Sequence, residues 1–188
     1  PAFLQGWVEI QDWASQQLAQ AVAAAPGDLV WDACAGGGGK TMAIAARLQG
    51  RGVVYASDIR TYKLKDVQQR AQRAGWQNVR SFAWQGDQPP SLPPEVMQRG
   101  GFDWVLVDAP CSSSGTWRRS PDAKYRLDPI SLTQVQNEQA KILQQAAQAV
   151  RSGGHLVYAT CSWLRGENED QVERFLVERG RCFAISVI

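Results

Sequence analysis

The feature that most constrains the fold of this chain is a repeated alternation of short apolar runs with longer helical patterns. The apolar runs occupy residues 29–33, 53–57, 79–84, 102–107 and 155–160. Strands that are apolar along their whole length are buried on both faces, which is typical of a parallel sheet covered by helices on both sides. The sequence therefore predicts an α/β fold with a mostly parallel central sheet.

Helical patterns and loops fill the intervals between these runs. Helices are predicted at 7–25, 40–48, 61–74, 131–151 and 167–178, loops at 86–101 and 109–129, and a last strand at 182–187. Gly153-Gly154 is predicted to break the helix at 131–151, ahead of the fifth strand. A length of 188 residues fits one domain. We expect residues 1–25 to form a lead helix packed on a domain at 26–188.

Composition excludes several classes of protein. Hydrophobic residues make up 44% of the chain and no apolar run is long enough for a membrane span, so neither global disorder nor a transmembrane protein is expected. The net charge is only +2, so a nucleic-acid site would have to be local. The four cysteines form no Cys-x-x-Cys pair, which disfavours zinc and disulfide frameworks. We expect reduced thiols and a cytoplasmic protein.

Polar side chains follow the predicted strands where each strand ends. Asp32, Asp58, Asp87 and Asp108 occupy such positions, and Cys161 follows the fifth strand. In open α/β sheets, ligands bind beyond the carboxyl ends of the strands. The sequence therefore predicts a binding site at this edge of the sheet.

Four consecutive glycines, Gly36 to Gly39, separate the first strand from the next helix. Glycines let a backbone approach a ligand closely, and a helix N-terminus offers free N–H groups and a positive dipole end. Gly39-Lys40-Thr41 also matches the end of a phosphate-binding P-loop, G-x-x-x-x-G-K-[ST], although Cys34 stands where that motif has its first glycine. Residues 104–108 are similar to the strand that holds Mg²⁺ in such enzymes. A nucleotide-phosphate-binding domain therefore stays open as an alternative.

Asp58 ends the second predicted strand, one strand beyond the glycine loop. A carboxylate there can accept hydrogen bonds from the two ribose hydroxyls of an adenosine. It could equally cap the helix that is predicted to begin near Thr61. The glycine loop one strand earlier favours nucleoside binding.

The long loop after Asp108 carries basic and aromatic residues together. Arg118, Arg119 and Lys124 can neutralise phosphates, while Trp117 and Tyr125 can stack on bases. Long loops in compact domains are more often functional than idle. The loop is therefore a candidate nucleic-acid contact, with a solvated surface loop as the alternative.

Two cysteines, Cys111 and Cys161, each follow the end of a predicted strand. A thiol near a helix start can have a lowered pKa and act as a nucleophile. Cys34 and Cys182 are interpreted as structural. His155 is the only histidine and belongs to no motif, so a histidine-activated nucleophile is not expected.

Three blocks of this sequence resemble the RNA cytosine-C5 methyltransferases of the Fmu/Sun and nucleolar-protein type. Residues 32–41 are similar to the cofactor loop of that family, DxCAAPGGKT. Residues 108–125 are similar to its DAPCSGxGxxRRxPDxKW block, and 157–169 to its TCS and ENE block. The last two blocks are specific to this family among methyltransferases, and together the three span most of the chain.

The resemblance implies a Rossmann-like methyltransferase fold that binds S-adenosylmethionine. It places the methionine part of the cofactor on Cys34, Ala35, Gly36, Gly37, Gly38, Gly39 and Lys40. Asp58 would bind the ribose and Asp87 the adenine edge, while Asp108 would border the cofactor and hydrogen-bond the cytosine near N3. Cys161 would add to cytosine C6, and Cys111 would assist release of the product. Arg118, Arg119 and Lys124 would contact the RNA.

The sequence also departs from the family pattern. Gly36-Gly37 stand where the family has Ala-Pro, which predicts a looser cofactor loop. The closing strand pair of the family sheet is not evident, so a catalytic core of a longer protein is expected. These two departures also leave a non-catalytic RNA-binding module open as an alternative. Ribosomal RNA is favoured over transfer RNA as the substrate, with no membrane association, no metal and no obligate protein partner.

Overall fold

Five parallel strands form a single sheet within residues 2–180 and 182–184, which are the residues that the computed structural model describes. The order across the sheet is β3-β2-β1-β4-β5. The bounds are β1 Leu29–Asp32, β2 Val53–Asp58, β3 Val79–Ala83, β4 Phe102–Asp108 and β5 Val150–Ala159. Every neighbouring pair is parallel, which confirms the predicted sheet and brings the carboxyl ends of the strands to one edge.

Helices connect the strands and cover both faces of the sheet. Their bounds are α1 Trp13–Ala21, α2 Gly39–Arg47, α3 Thr61–Ala74, α4 Pro94–Gln98, α5 Pro129–Ala147 and α6 Glu169–Arg179. Helix α4 lies inside the predicted loop 86–101, where Pro94 occupies the first helical turn. The loop between β4 and α5 contains two 3₁₀ segments, Ser114–Thr116 and Pro121–Arg126. No helix in the described part of the chain is long and apolar enough to cross a membrane.

Helix α1 is shorter than the predicted helix at 7–25. It begins after Asp12, whose carboxylate accepts a hydrogen bond from the Ala14 N–H at 3.0 Å. This capping bond fixes the helix start, because an aspartate at the N-cap satisfies one of the free N–H groups of the first turn. Trp13 is 73% exposed, so it does not belong to a buried apolar stripe, whereas Val22 just beyond the helix is fully buried.

Helix α5 already ends at Ala147 and strand β5 runs through Gly153-Gly154, so the prediction that these glycines break the helix is wrong. The pairing with β4 shifts register between Phe102 and Trp104, which is the mark of a bulge. Gly153 has a φ of +72°, and a Cβ on Gly154 would lie 2.9 Å from the Phe102 carbonyl oxygen. The two glycines therefore allow the bulge and the close approach of β4, and they do not end the strand.

Aromatic rings fill one face of the sheet. Trp31 on β1 is fully buried, with its ring centroid 5.7 Å from Phe102 and 4.7 Å from Trp84. Ile44 of α2 and Leu48, directly after that helix, are buried against the opposite face. These two layers fix the sheet and thereby the edge at which the strands end. Of the last predicted strand, 182–187, residues 182–184 are not in a strand and 185–187 lie outside the described residues.

Candidate active site

A cavity of about 1080 Å³ lies at the carboxyl edge of the sheet, where β1, β2, β4 and β5 end. Its wall includes the glycine loop after β1, Asp58 at the end of β2, Asp108 at the end of β4, and Cys111 and Cys161. The structure thus brings together most of the residues that the sequence singled out. Parts of the N-terminal segment, Asp12 and Ser15 among them, complete one side of the cavity.

The glycine loop is held by hydrogen bonds from two neighbouring elements. The N–H of Gly36, which has a φ of +53°, donates to the Asp58 carboxylate at 2.9 Å. Arg70 of α3 donates to the Gly37 carbonyl at 2.8 Å. Gly38 is buried with a φ of +82°, and a Cβ there would lie 2.9 Å from Val67 Cγ2. Gly38 therefore allows α3 to pack closely and is not among the residues that line the cavity, whereas Gly36, Gly37 and Gly39 are.

Asp58 is a buried carboxylate that receives donors from the loop after β2 as well as from Gly36. Arg60 donates from its backbone N–H at 2.8 Å and from Nε at 2.9 Å. Burial alone would raise the pKa of Asp58, but the hydrogen bonds from Arg60 and Gly36 outweigh it and lower the pKa. Asp58 is therefore ionised. It does not cap α3, since the N-cap of that helix is Arg60 and no side chain bonds its first turn.

The side chains of Lys40 and Thr41, at the start of α2, bind carboxylates of this chain and are not arranged to bind a phosphate. The Lys40 ammonium lies 2.5 Å from the Asp108 carboxylate. The Thr41 hydroxyl is fully buried and donates to Asp32 at 2.7 Å. Burial raises the pKa of Asp32 to about 6. A P-loop needs that lysine on phosphate and that hydroxyl on Mg²⁺, so this geometry argues against the nucleotide-phosphate alternative.

Cys111 and Cys161 are in direct contact at the cavity wall. Their Sγ atoms are 3.2 Å apart, and Ser113 Oγ lies 3.6 Å from the Cys161 sulfur. The hydrogen bond from Cys111 lowers the pKa of Cys161 to about 6, while the same bond raises the pKa of Cys111. Cys161 is exposed and would be the thiolate of the pair near neutral pH. Burial raises the pKa of Cys34, which suits a structural thiol.

The remaining predicted residues are placed more loosely. Arg119 lines the cavity and forms an ion pair with Asp12 across it. Arg118 and Lys124 are exposed and do not line the cavity. Asp87 is also exposed and lies outside the wall, which at this point is formed by Gln85 and Gly86, just before it in the chain.

Three contributions were missed from the sequence. Trp84 and Gln85 after β3 line the cavity, and Arg60 binds Asp58. Glu167 is fully buried behind the cysteines, and in the sequence it stood out only as the first glutamate of the ENE block. The position of Arg60, two residues after Asp58, could have indicated a bond between the two side chains. The residues next to Glu167 in the sequence do not indicate its partners.

The sheet order, the cavity at its carboxyl edge and the similarity to solved methyltransferase structures place the chain in the Rossmann-like, S-adenosylmethionine-dependent methyltransferase fold. Within that class, residues 19–186 match the model of the 16S rRNA methyltransferase RsmB/F family. The chain belongs to this family.

Individual proteins agree with this assignment. The chain is 38% identical over 94% of its length to a probable ribosomal RNA small subunit methyltransferase B from Synechocystis sp., of which it covers 39%. It is similar to the crystal structure of PH0851, with 32% identity and a TM-score of 0.86 over 94% of this chain and 39% of that one. NSun6 from Pyrococcus horikoshii with SFG gives 26% identity and a TM-score of 0.81 over 95% of this chain and 44% of that one. The chain thus spans well under half the length of these relatives.

Proposed function

We propose that this chain is the catalytic domain of an S-adenosylmethionine-dependent RNA methyltransferase that methylates C5 of cytosine in small-subunit ribosomal RNA. The observation that carries the proposal is the contact between Cys111 and Cys161, with sulfurs 3.2 Å apart, in the wall of the cavity that also contains Asp58 and the glycine loop. The proposed nucleophilic thiol and the proposed nucleoside-binding residues thus line one cavity.

The residues present fit S-adenosylmethionine. Gly36 has open space where a Cβ would stand, so the loop leaves room for a ligand against its backbone. Helix α2 begins at Gly39, and its first N–H groups have no acceptor within the helix, which suits the carboxylate of a methionine. The ionised Asp58 suits the two ribose hydroxyls. Gln85 and Gly86, which line the cavity just before Asp87 in the chain, are proposed to border the adenine edge.

Cys161 is proposed as the nucleophile because cytosine C5 is too weakly nucleophilic to be methylated directly. S-adenosylmethionine supplies an electrophilic methyl group when bound. Addition of the Cys161 thiolate at C6 forms an S–C6 bond and gives C5 the electron density of an enamine carbon. After methylation, loss of the C5 proton restores the ring and expels the thiolate. Cys111 is proposed to assist this release, since its sulfur lies within hydrogen-bond distance of the Cys161 sulfur.

Asp108 and Lys40 are proposed to act on the base as a pair. The Asp108 carboxylate, bound to the Lys40 ammonium at 2.5 Å, lines the same cavity as the cysteines. A carboxylate beside N3 can hold a proton there and stabilise the charge that develops when C6 is attacked. Lys40, predicted from the sequence to bind the cofactor, is thereby assigned to orient Asp108.

Arg118, Arg119 and Lys124 are proposed to contact RNA phosphates. Arg118 and Lys124 are exposed on the loop between β4 and α5, and Arg119 reaches the cavity. The names of the curated relatives support ribosomal RNA as the substrate. A cytoplasmic location follows from that substrate, and the domain boundary at residue 26 stays a proposal.

Calorimetric titration of the chain with S-adenosylmethionine, and in parallel with ATP and Mg²⁺, tests the cofactor assignment. We expect S-adenosylmethionine to bind and ATP not to bind. Asp58→Asn should weaken binding at least tenfold, whereas Asp66→Asn, an α3 carboxylate that does not line the cavity, should leave the affinity unchanged. ATP binding alone would contradict the proposal, and RNA binding without any cofactor binding would indicate a non-catalytic module.

A further inference from the structure

Glu167 is a fully buried side chain that accepts four hydrogen bonds. Ser112 donates twice, from its backbone N–H at 2.8 Å and from its hydroxyl at 2.5 Å. Gln139 of α5 donates from Nε2 at 2.9 Å, and the hydroxyl of Ser162 donates to the second carboxylate oxygen. In each of these four hydrogen bonds the partner is the donor, so both side-chain oxygens of Glu167 must act as acceptors. Only an unprotonated carboxylate can accept at both oxygens in this way.

The donors come from the two segments that carry the cysteines. Ser112 directly follows Cys111, and Ser162 directly follows Cys161. Gln139 also donates to the carbonyl of Pro110 at 2.9 Å, so the same helix grips the residue before Cys111. One carboxylate therefore ties together two segments that are 50 residues apart in the sequence.

We propose that Glu167 is a positioning residue that holds the Cys111 and Cys161 sulfurs in contact. It acts through Ser112 and Ser162 and is not expected to touch the substrate. The consequence for methyl transfer rests on the function proposed above, whereas the effect on the two thiols does not.

The charged state of Glu167 is costly to bury and has to be stabilised by its hydrogen bonds. Burial alone would raise the pKa of Glu167, but the hydrogen bonds from Ser112, Ser162 and Gln139 outweigh it and lower the pKa. An ionised carboxylate inside a protein is tolerated only when its acceptor sites are filled. A purely structural core position would be met more simply by an apolar side chain, so the charge points to the need to hold two loops in one register.

Neighbouring hydroxyls extend the connection. Ser162 Oγ lies 3.2 Å from Ser112 Oγ and 2.9 Å from Ser114 Oγ. Ser114 in turn accepts from the Trp163 N–H at 2.8 Å. Loss of the carboxylate should therefore let the two loops separate by a small distance, enough to break a sulfur–sulfur hydrogen bond.

The pH dependence of Cys161 alkylation by iodoacetamide tests this proposal without RNA or cofactor. Variants Glu167→Gln and Glu167→Ala are compared with Glu169→Gln, which removes an exposed carboxylate two residues further on. Charged groups that face Cys161 across the cavity, Asp108 and its partner Lys40, are unchanged in all of them. Modified sites are assigned by mass spectrometry.

We expect the pH midpoint of Cys161 alkylation to rise by at least one pH unit in Glu167→Ala and by less in Glu167→Gln. The midpoint of Glu169→Gln should stay at the wild-type value. Folded Glu167 variants with the wild-type midpoint would overturn the proposal. If Glu167→Ala does not fold, Ser112→Ala and Ser162→Ala each remove one donor, and both should shift the midpoint upward. No shift in either serine variant would also overturn it.

Methyl transfer separates this inference from the proposed function. In an active enzyme, Glu167→Gln should lower kcat at least tenfold and leave KM for S-adenosylmethionine unchanged, because Glu167 hydrogen-bonds to Ser112, Ser162 and Gln139 and to neither the glycine loop nor Asp58. Loss of both kcat and cofactor binding would indicate general disruption and overturn the positioning role. A wild-type chain without methyl transfer would refute the proposed function while the alkylation result still decides the role of Glu167.

Discussion

Removal of the Cys111 thiol should make Cys161 a weaker acid. In the structure the hydrogen bond from Cys111, with sulfurs 3.2 Å apart, is the largest contribution that lowers the pKa of Cys161 from its ordinary value of 9.0 to about 6. Cys111→Ala deletes this donor. We therefore expect the pKa of Cys161 to rise toward its ordinary value, while the contact with Ser113 retains part of the lowering.

The size of the effect on reactivity follows from two opposing terms. At pH 7 the thiolate fraction is about nine-tenths for a pKa near 6 and about one hundredth for a pKa near 9. A more basic thiolate is also a better nucleophile, by about 15- to 30-fold over such a change. The full change would therefore slow alkylation at pH 7 by about three- to sixfold and make it faster than wild type near pH 10.

The rate of Cys161 alkylation by iodoacetamide is measured between pH 5 and pH 10, with the modified site assigned by mass spectrometry. These rates show the pH at which the variant becomes faster than the wild type. Cys111→Ser is the matched variant, because its hydroxyl can still donate and should give an intermediate midpoint. Wild-type and Cys111→Ala curves with the same midpoint near pH 6 would refute the claim that the neighbouring thiol holds the Cys161 thiolate.

Three further predictions concern the loop, the core and the RNA. Gly38→Ala, at a φ of +82° and against Val67, should lower the free energy of unfolding by about 2 kcal/mol, whereas Gly37→Ala, where a Cβ has room, should change it little in urea melts. The pKa of Asp32 is 3.8 in the unfolded chain and about 6 in the folded one, so folding takes up a proton between these values. Proton binding by Asp32 therefore stabilises the folded chain by roughly 3 kcal/mol below pH 3.8, and this stabilisation is lost as the pH rises through about 6. Asp32→Asn should abolish that pH dependence, as measured by urea melts at pH 4 and pH 7. Arg118→Ala should weaken RNA binding and reduce its salt dependence by about one ion in fluorescence titrations. An unchanged salt slope would argue against a phosphate contact.

The sheet could be predicted from the sequence because most of its strands are rich in apolar residues, and three of them end at an aspartate, Asp32, Asp58 or Asp108. Four strands have bounds within one or two residues of the predicted ones. The fifth begins earlier, because Gly153-Gly154 form a bulge against Phe102 and no turn. The distinction depends on what the neighbouring strand does, which a local glycine pair does not reveal.

The site was predictable as a set of residues but not as a set of contacts. Cys111 and Cys161 could be named from their motifs, yet their contact depends on β4 and β5 being neighbours in the sheet. Glu167 illustrates the limit most clearly, since its donor Ser112 lies 55 residues away in the sequence. Asp87 follows a strand as the sequence indicated, but its side chain is exposed and does not line the cavity, whereas Gln85 does.

The glycine loop also differs from expectation in character. The Gly36-Gly37 pair was expected to give a loose loop, but both residues are held by hydrogen bonds. The Gly36 N–H donates to Asp58, and the Gly37 carbonyl accepts from Arg70. The left-handed conformation of Gly36 would be strained by alanine. The loop of this chain is therefore shaped around its glycines.

Release of tritium from RNA tests the central claim most directly. Small-subunit ribosomal RNA labelled with tritium at cytosine C5 is incubated with S-adenosylmethionine and either the wild-type chain or Cys161→Ala. The account predicts tritium in water from the wild type, in step with the methyl groups incorporated, and none from Cys161→Ala, which should still bind the cofactor. Methyl incorporation without tritium release, or equal release by the Cys161→Ala variant, would contradict methylation of C5 through Cys161.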